Sequence, residues 1–252
     1  MLPAQRHAEI LRRIRLSGPN AVAELAAALG VSRSTIRRDL GTLSEDGRLR
    51  RVHGGAAIRD DADERRPFAQ VLASDVAEKE QVAVRAAALV EEGDVVLLDI
   101  GTTTLRVAAH LRGRRVTVIT SSLAVLDVLH DDPEIELVLL GGVVREAYRS
   151  LVGALTEASL REVRATHAFL GTSGVTADGV VLDSTRVEVP VKRAMMRAAE
   201  RVVLLADLHK FPGTGALKVC EASELDVLVT NHGADEATVQ TYREAGVEVV
   251  FG

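Results

Sequence analysis

Residues 23–40 of this 252-residue chain read AELAAALGVSRSTIRRDL. Alanine and leucine at helical spacing precede Gly30, which predicts a first helix that ends in a tight turn. Ser32 follows at a position where a serine side chain caps the start of a second helix. A helix, a tight turn and a second helix are typical of a helix-turn-helix, whose second helix enters the major groove of DNA. The stretch therefore predicts this motif.

The second helix would have one buried face and several polar sides. Residues spaced four and three apart form the apolar face, namely Ile36, Leu40 and Leu43. The exposed sides then carry Arg33, Ser34, Arg37 and Arg38. The planar guanidinium group of arginine pairs with guanine edges or with phosphates. From this pattern alone, a DNA-reading helix and a solvated basic face on a small helical bundle are both open.

The neighbouring residues extend the motif to a small domain at 1–58. Pro3 can start a preceding helix with Ile10, Leu11 and Ile14 inward, and Asn20 can cap the helix that leads to Gly30. Residues 48–57 are short, basic and closed by two glycines, which suits a β-hairpin wing.

Charge is divided unevenly along the chain. Residues 1–58 contain ten arginines and five acidic residues, which gives a net charge of +5. The whole chain carries −5, so the remaining residues together carry −10. A basic N-terminal part on an acidic remainder indicates that the N-terminal part meets a polyanion. Aromatic residues make up only 2%, which argues against stacking platforms for single-stranded nucleic acid.

From Leu29 the chain reads LGVSRSTIRRDLGTLSEDGRLRRVHGGA. This segment resembles the winged helix-turn-helix signature of the DeoR family of bacterial sugar-metabolism repressors, in GVS, TIRRDL, Leu43, Gly47 and RRVHGGA. The resemblance implies binding to double-stranded operator DNA. The expected DNA-binding residues are Ser32, Arg33, Ser34, Thr35, Arg37 and Arg38 around the reading helix, and Arg50, Arg51 and His53 in the wing.

The rest of the chain predicts a larger α/β domain. We place a linker at 59–77, because residues 59–66 are almost wholly charged and Pro67 follows. From residue 78 to 252, apolar runs of strand length alternate with helical patterns, which predicts a mostly parallel sheet covered on both faces. The predicted strands are Val95–Ile100, Val116–Thr120, Ile135–Leu140, Ala168–Leu170, Val202–Ala206, Val227–Thr230 and Val247–Phe251.

The DeoR resemblance continues through this domain, in segments such as EKEQVAVRAAALVEEGDVVLLDIGTTTLRVAAHL, SLVGAL, HAFLGTSGV, VPVKRAMM and HKF. It implies an effector-sensing domain similar in fold to ribose-5-phosphate isomerases and coenzyme A transferases. The effector implied is a phosphorylated sugar or a related metabolite.

The residues themselves support an anion site. Asp99, Gly101, Thr102, Thr103 and Thr104 follow an apolar strand and open a helix, where free N–H groups, hydroxyls and the helix dipole favour an anion; simple helix capping is the alternative. Ligands in open α/β sheets lie outside the carboxyl ends of the strands. The loop after the next strand adds Ser121 and Ser122, and the one after the third adds Gly142 and Arg145.

Two lysines at family motif positions complete the expected effector site, namely Lys192 in VKRAMM and Lys210 in HKF. Either ammonium group can neutralise a phosphate. Lys79 also matches a family motif, but we expect a surface lysine of a helix there. Asp183 lies in a polar loop and is a weaker candidate.

Composition excludes several classes of protein. Hydrophobic residues make up 47% and charged residues 27%, which excludes disorder. The single cysteine, Cys220, excludes a disulfide framework. We expect no metal, no cofactor, no membrane partner and a cytoplasmic location. Because one winged head covers half of a palindromic operator, we also expect a homo-oligomer, either a dimer or a tetramer.

The alternative from another class is a sugar-phosphate isomerase with an attached DNA-binding module. Isomerases of similar fold share a DGADE-like segment followed by KGGG, whereas the corresponding region here reads LGTSGVTADGVVL. Proton transfer between an aldose and a ketose needs a positioned base, and none is evident. We therefore expect a regulator rather than an enzyme. The loops that resemble phosphate sites argue against a third class, a DNA-binding protein without a ligand.

Overall fold

The computed structural model describes residues 3–17, 20–45, 50–52, 55–57 and 68–252. The chain divides into two compact units, Met1–Ala62 and Asp63–Gly252. In the described residues, no helix is both long and apolar enough to cross a membrane.

The N-terminal unit contains three helices and a three-stranded antiparallel sheet. Its elements are α1 (Pro3–Ser17), β1 (Asn20–Ala21), α2 (Val22–Leu29), α3 (Arg33–Glu45), β2 (Arg50–Val52) and β3 (Gly55–Ala57), with sheet order β1-β3-β2. Gly30 ends α2 with a φ of 64°, the left-handed conformation that glycine adopts without strain. The predicted helix-turn-helix with a hairpin wing is confirmed.

The apolar periodicity of these helices forms one small core. Every residue predicted to point inward from α1 and α3 is buried, and α2 contributes Leu25 and Ala26: the core contains Ile10, Leu11, Ile14, Leu25, Ala26, Ile36, Leu40 and Leu43. The prediction that Asn20 caps α2 is wrong. Asn20 pairs with Ala56 in the sheet, and Ala21 is the residue before the helix.

The larger unit is a three-layer α/β fold. Its helices are α4 (Phe68–Leu72), α5 (Val76–Ala87), α6 (Thr102–Leu111), α7 (Leu123–Leu129), α8 (Ala154–Ser159), α9 (Val189–Ala198) and α10 (Glu236–Glu244). Its strands are β4 (Val95–Leu98), β5 (Val116–Thr120), β6 (Ile135–Leu139), β7 (Val143–Arg145), β8 (Ser150–Val152), β9 (Ala165–Gly171), β10 (Gly174–Val175), β11 (Val181–Asp183), β12 (Ala199–Leu205), β13 (Leu217–Cys220), β14 (Val227–Thr230) and β15 (Glu248–Phe251).

Seven strands form the central sheet in the order β15-β14-β12-β9-β4-β5-β6, and every neighbouring pair is parallel. Alternate residues of its strands contribute to two apolar cores, one on each face. The seven predicted strands and the parallel sheet covered on both faces are confirmed, since such strands read as continuous apolar runs.

The boundary of the linker differs from the prediction. Residues predicted to belong to a linker at 59–77 include α4 and the start of α5, because Phe68 is buried against Ile100, Ala124 and Tyr148. Two small antiparallel sheets, β7-β8 and β10-β11-β13, were not predicted either. Both follow strands that point toward the same end of the sheet.

Candidate functional site

Helix α3, the predicted reading helix, presents the predicted polar residues on its surface. Ser32 caps the helix by accepting a hydrogen bond from the backbone N–H of Thr35 at 3.1 Å. Arg33, Ser34, Arg37 and Arg38 are exposed, as is Ser32, and Thr35 is partly buried. Arg50 and Arg51 lie in β2, whereas His53 lies outside the described residues. The arrangement leaves the arginines of α3 available to a polyanion.

A buried ion pair, which was not predicted from the sequence, fixes α3 to α1. Asp39 accepts hydrogen bonds from Arg6 Nε at 2.6 Å and from Arg6 Nη2 at 3.0 Å, and it lies 3.1 Å from His7 Nε2. These partners, Arg6 foremost, hold the pKa of Asp39 below its ordinary value. Asp39 of the TIRRDL motif therefore positions the helix while the neighbouring arginines face outward.

The second candidate site is a cleft at the carboxyl ends of the parallel strands. The chain adds β5 and β6 on one side of β4, and β9, β12, β14 and β15 on the other, so the strand order reverses between β4 and β9. Ligands of open α/β sheets bind at such a switch point. The cleft opens there, between Gly101 after β4 and Thr172 after β9, with an empty volume of about 630 Å³ including the part open to solvent.

The N-terminus of α6 forms one wall of the cleft. Gly101 precedes the helix with a φ of 120°, and no side chain caps the first turn. The predicted residues Gly101, Thr102, Thr103 and Thr104 all line the cleft. Thr104 is buried and donates its hydroxyl to Gly101 O at 3.0 Å. The first backbone N–H groups of α6 are thus an anion-binding end of a ten-residue helix.

Lys192 is the centre of a buried charge cluster. Its ammonium group donates to Asp99 Oδ2, donates to Gly171 O at 2.9 Å and lies 3.5 Å from Asp183 Oδ2. Burial by itself would lower the pKa of Lys192, but attraction to Asp99 and Asp183 raises it above its ordinary value. Asp99 also accepts the backbone N–H of Gly171 at 2.9 Å. The cluster joins the ends of β4, β9 and β11 to α9.

Glu188 joins the cleft to the β7-β8 hairpin. Its Oε1 accepts hydrogen bonds from Ser150 Oγ at 2.7 Å and from Arg145 at 3.2 Å, and Arg145 also donates to Thr185 at 3.2 Å. Arg145 further lies over the ring of Tyr148. Thr185, Glu188 and Tyr148 line the cleft, so the predicted residue Arg145 stands directly behind its wall.

Two further lysines line the cleft, Lys79 and the predicted Lys210. Lys79 is buried rather than on the surface as expected, and it donates to Val71 O at 2.9 Å and to Ser74 O at 2.7 Å. Burial and the charge of Lys210 lower its pKa. Lys210 is half-buried, and no carboxylate of the described residues lies within 4.0 Å of its ammonium group.

The remaining predicted residues lie beside the cleft rather than in its lining. Ser122 caps α7 by accepting the N–H of Val125, and Ser121 is buried. Gly142 packs so closely on Thr156 and Val152 that a side chain would collide with them. Several lining residues with hydroxyl groups follow β9 and β11 and were not predicted from the sequence: Thr172, Ser173, Ser184 and Thr185. The signal that could have identified them is the pair of serine and threonine residues directly after each of these two strands.

The described residues contain no group of three or more His, Cys, Asp and Glu side chains that could hold a metal ion. Cys220 is buried, and burial raises the pKa of its thiol to about 12. Because the thiolate is the nucleophilic form, this residue is a packing residue of the core.

Two family models match the chain, one over each unit. The model of the DeoR C terminal sensor domain matches residues 74–232, and that of the DeoR-like helix-turn-helix domain matches residues 6–62. Among solved structures, ribose 5-phosphate isomerase A from Methanocaldococcus jannaschii aligns with a TM-score of 0.41 and 21% identity over 54% of this chain and 55% of the isomerase.

Two relatives extend over nearly the whole length. The HTH-type transcriptional regulator GolR of Listeria innocua is 31% identical over 99% of this chain and 98% of its own. The glycerol-3-phosphate regulon repressor of Haemophilus influenzae is 32% identical over 100% of this chain and 98% of its own. Both are named for regulation rather than for a reaction. The chain belongs to the DeoR family of transcriptional regulators.

Proposed function

We propose that the protein represses genes of sugar or carbohydrate metabolism, and that a phosphorylated sugar or related metabolite in the cleft changes its affinity for operator DNA. The observation that carries the proposal is the cleft itself, which lies at the switch point of the sheet and has an uncapped helix N-terminus and a lysine in its wall. In this proposal, two groups of residues contact the operator: Ser32, Arg33, Ser34, Thr35, Arg37 and Arg38 around the reading helix, and Arg50, Arg51 and His53 in the wing.

The phosphate group is proposed to lie at the N-terminus of α6. The backbone N–H groups of Thr102, Thr103 and Thr104 provide donors there, and Lys210 supplies the charge. Lys79 has its ammonium hydrogens directed at Val71 and Ser74, so it contributes a positive field. Lys192 is neutralised by Asp99 and Asp183, and we assign it to holding the strand ends together instead.

A relative supports the class of effector. The Haemophilus influenzae protein is named for the glycerol-3-phosphate regulon, and a phosphate ester of a polyol is the kind of ligand that this cleft suits. Binding of effector and operator must be coupled reciprocally, since each changes the affinity of the other by the same factor. By the family resemblance we propose that the effector lowers operator affinity.

The effector proposal is tested by thermal unfolding of the full chain with inorganic phosphate, glycerol 3-phosphate, glucose 6-phosphate and fructose 1-phosphate. A ligand present at about 100 times its dissociation constant stabilises the fold by about 2.7 kcal/mol, and we expect at least one sugar or polyol phosphate to do so. In Lys210→Ala, the same compound should bind roughly 10-fold more weakly, because one charge-assisted contact is lost.

Lys218→Ala is the matched control, because Lys218 is an exposed lysine on the same unit. It should leave the dissociation constant unchanged. Stabilisation by none of the four compounds would contradict the effector proposal, and equal weakening in both variants would remove Lys210 from the site.

We also propose that two or more copies of the chain assemble through the β6 edge of the sheet. β6 is the terminal strand on that side, and an open strand edge pairs readily with another strand. Thr156 donates to Gly141 O at 2.7 Å and brings the start of α8 to the same region. Large apolar residues are exposed there, namely Val138, Leu139, Val143, Val144 and Leu155. The opposite edge differs, because Phe251 is covered by His232 and Arg243.

Val143→Glu and Leu155→Glu should dissociate the oligomer in sedimentation experiments at micromolar concentration, because each places a charge in the apolar contact. Val84→Glu alters an equally apolar exposed residue on α5 and should leave the oligomer intact. A monomeric wild type, with and without DNA, would refute assembly. Dissociation by Val84→Glu alone would place the interface elsewhere.

A further inference from the structure

Glu188 has a carboxylate oxygen that its surroundings leave unsatisfied. The residue stands immediately before α9, lines the cleft and is 1% exposed. Oε1 accepts the hydrogen bonds from Ser150 and Arg145. Oε2 is buried and has no hydrogen-bond partner among the described residues. A buried carboxylate oxygen without a donor is costly, so a donor is expected from whatever enters the cleft.

The cations nearby are already engaged. Arg145 directs its two terminal nitrogens to Glu188 Oε1 and to Thr185, and Lys192 is bound to Asp99 and Gly171. Burial raises the pKa of Glu188, and the negative charge of Asp99 adds to the effect. This part of the cleft therefore repels a further anion and attracts a neutral donor.

The two lysines proposed to serve the phosphate have other charged neighbours than Glu188 has. The charges that act on Lys79 are those of Lys210, Asp207, Asp75 and Arg106, whereas Asp99, Lys192 and Arg145 act on Glu188. The lining of the cleft thus contains two lysines and, among different charged neighbours, the carboxylate of Glu188. The lining also contains hydroxyl groups, which both donate and accept hydrogen bonds: Thr172, Ser173, Ser184 and Thr185.

We infer that Glu188 accepts a hydrogen bond from a hydroxyl group of a phosphorylated polyol and so distinguishes this class of ligand from phosphate alone. The inference rests on the proposed function, because it takes the phosphate to lie at α6. A hydroxyl group of the polyol meets the requirement of Oε2 for a donor, whereas inorganic phosphate bound at α6 has no polyol chain to present one and a second phosphate beside Glu188 would be repelled by its charge. Glu188 accordingly determines which phosphate compound binds best, and Lys210 strengthens the binding of all of them.

The test compares dissociation constants of inorganic phosphate and of glycerol 3-phosphate, glucose 6-phosphate and fructose 1-phosphate by calorimetry on the full chain. In Glu188→Gln, which keeps the shape but replaces one acceptor with an amide, the best of the three esters should bind roughly 10- to 150-fold more weakly. The affinity for inorganic phosphate should change by less than about 2-fold. The readout is therefore the dissociation constant of inorganic phosphate divided by that of the ester. This ratio should fall in Glu188→Gln.

Two further variants separate recognition from support of the hairpin. Ser150→Ala removes a partner of Oε1 and leaves Oε2 as it is, so the ratio should stay close to that of the wild type. Glu200→Gln changes an exposed glutamate at the start of β12 and should have no effect. A ratio unchanged in Glu188→Gln, or lowered equally in Ser150→Ala, would overturn the inference while leaving the proposed function standing. Binding of no phosphate compound to the wild type would reject both.

Discussion

Lys192→Ala is expected to destabilise the larger unit by about 3–5 kcal/mol, because removal of one member of a buried ion pair leaves the other charge without compensation. Asp99 and Asp183 would then face each other in a buried site, with Asp99 fully enclosed. Urea unfolding followed by circular dichroism measures the change, and this method suits a chain with two tyrosines and no tryptophan. Hydrogen exchange should increase most in β4 and β9, whose ends Lys192 joins.

The control for this prediction is again Lys218→Ala, which removes the same charge from an exposed position and should change the free energy of unfolding by less than about 0.5 kcal/mol. In Lys192→Met combined with Asp99→Asn, the loss should be smaller than the sum of the two single losses, because the two side chains interact directly. A loss in Lys192→Ala no larger than that in Lys218→Ala would show that the cluster contributes little to stability.

Stability from Lys192 should be constant across the neutral range. Its pKa lies above the ordinary lysine value in the folded state. A group of this kind contributes its full stabilisation below the pKa of the unfolded chain and loses it only as the pH rises through the folded value. Both transitions lie well above neutral pH, so the ionisation of Lys192 itself should add no pH dependence to the free energy of unfolding of the wild type near neutrality.

The parallel sheet was predictable because its strands are buried on both faces. Val116–Thr120 and Val227–Thr230 were predicted with the bounds that the structure shows. By contrast, Asn20 has the composition of a helix cap but pairs with Ala56, 36 residues later. Sheet pairing between distant segments outweighed local preference there, and no short window of sequence contains it. The pairing of β11 with the distant β13 escaped prediction for the same reason.

The site was predictable where its geometry is local. Gly101–Thr104 follow one strand and begin one helix, so a single window contains the whole feature. The role of Lys192 depends on Asp99, 93 residues away, and Lys79 shares the cleft with Lys210, 131 residues later in the chain. Residue type indicated that these lysines carry charge, but only the fold shows which ones are already neutralised and which remain for a ligand.

The largest effect on DNA binding is expected from the exposed arginines of α3. Arg37→Ala and Arg38→Ala should each weaken binding to a DNA fragment selected from a random pool by roughly 5- to 150-fold, the equivalent of about 1–3 kcal/mol for a lost base contact. The exposure of both side chains beside the buried Ile36 and Leu40 supports this expectation. Gel-shift titrations at several salt concentrations provide the measurement.

Salt dependence then distinguishes a base contact from a phosphate contact. Each phosphate neutralised by the protein adds about 0.9 to the slope of log affinity against log salt concentration, so a variant that loses a phosphate contact should lower the slope and weaken all sequences equally. A variant that loses a base contact should keep the slope and lose discrimination at one base pair. Arg197→Ala, an exposed arginine of α9, makes the same change in net charge outside the N-terminal unit. If Arg197→Ala weakened DNA binding as much as Arg37→Ala and Arg38→Ala do, net charge would explain the effect and α3 would not be the reading helix.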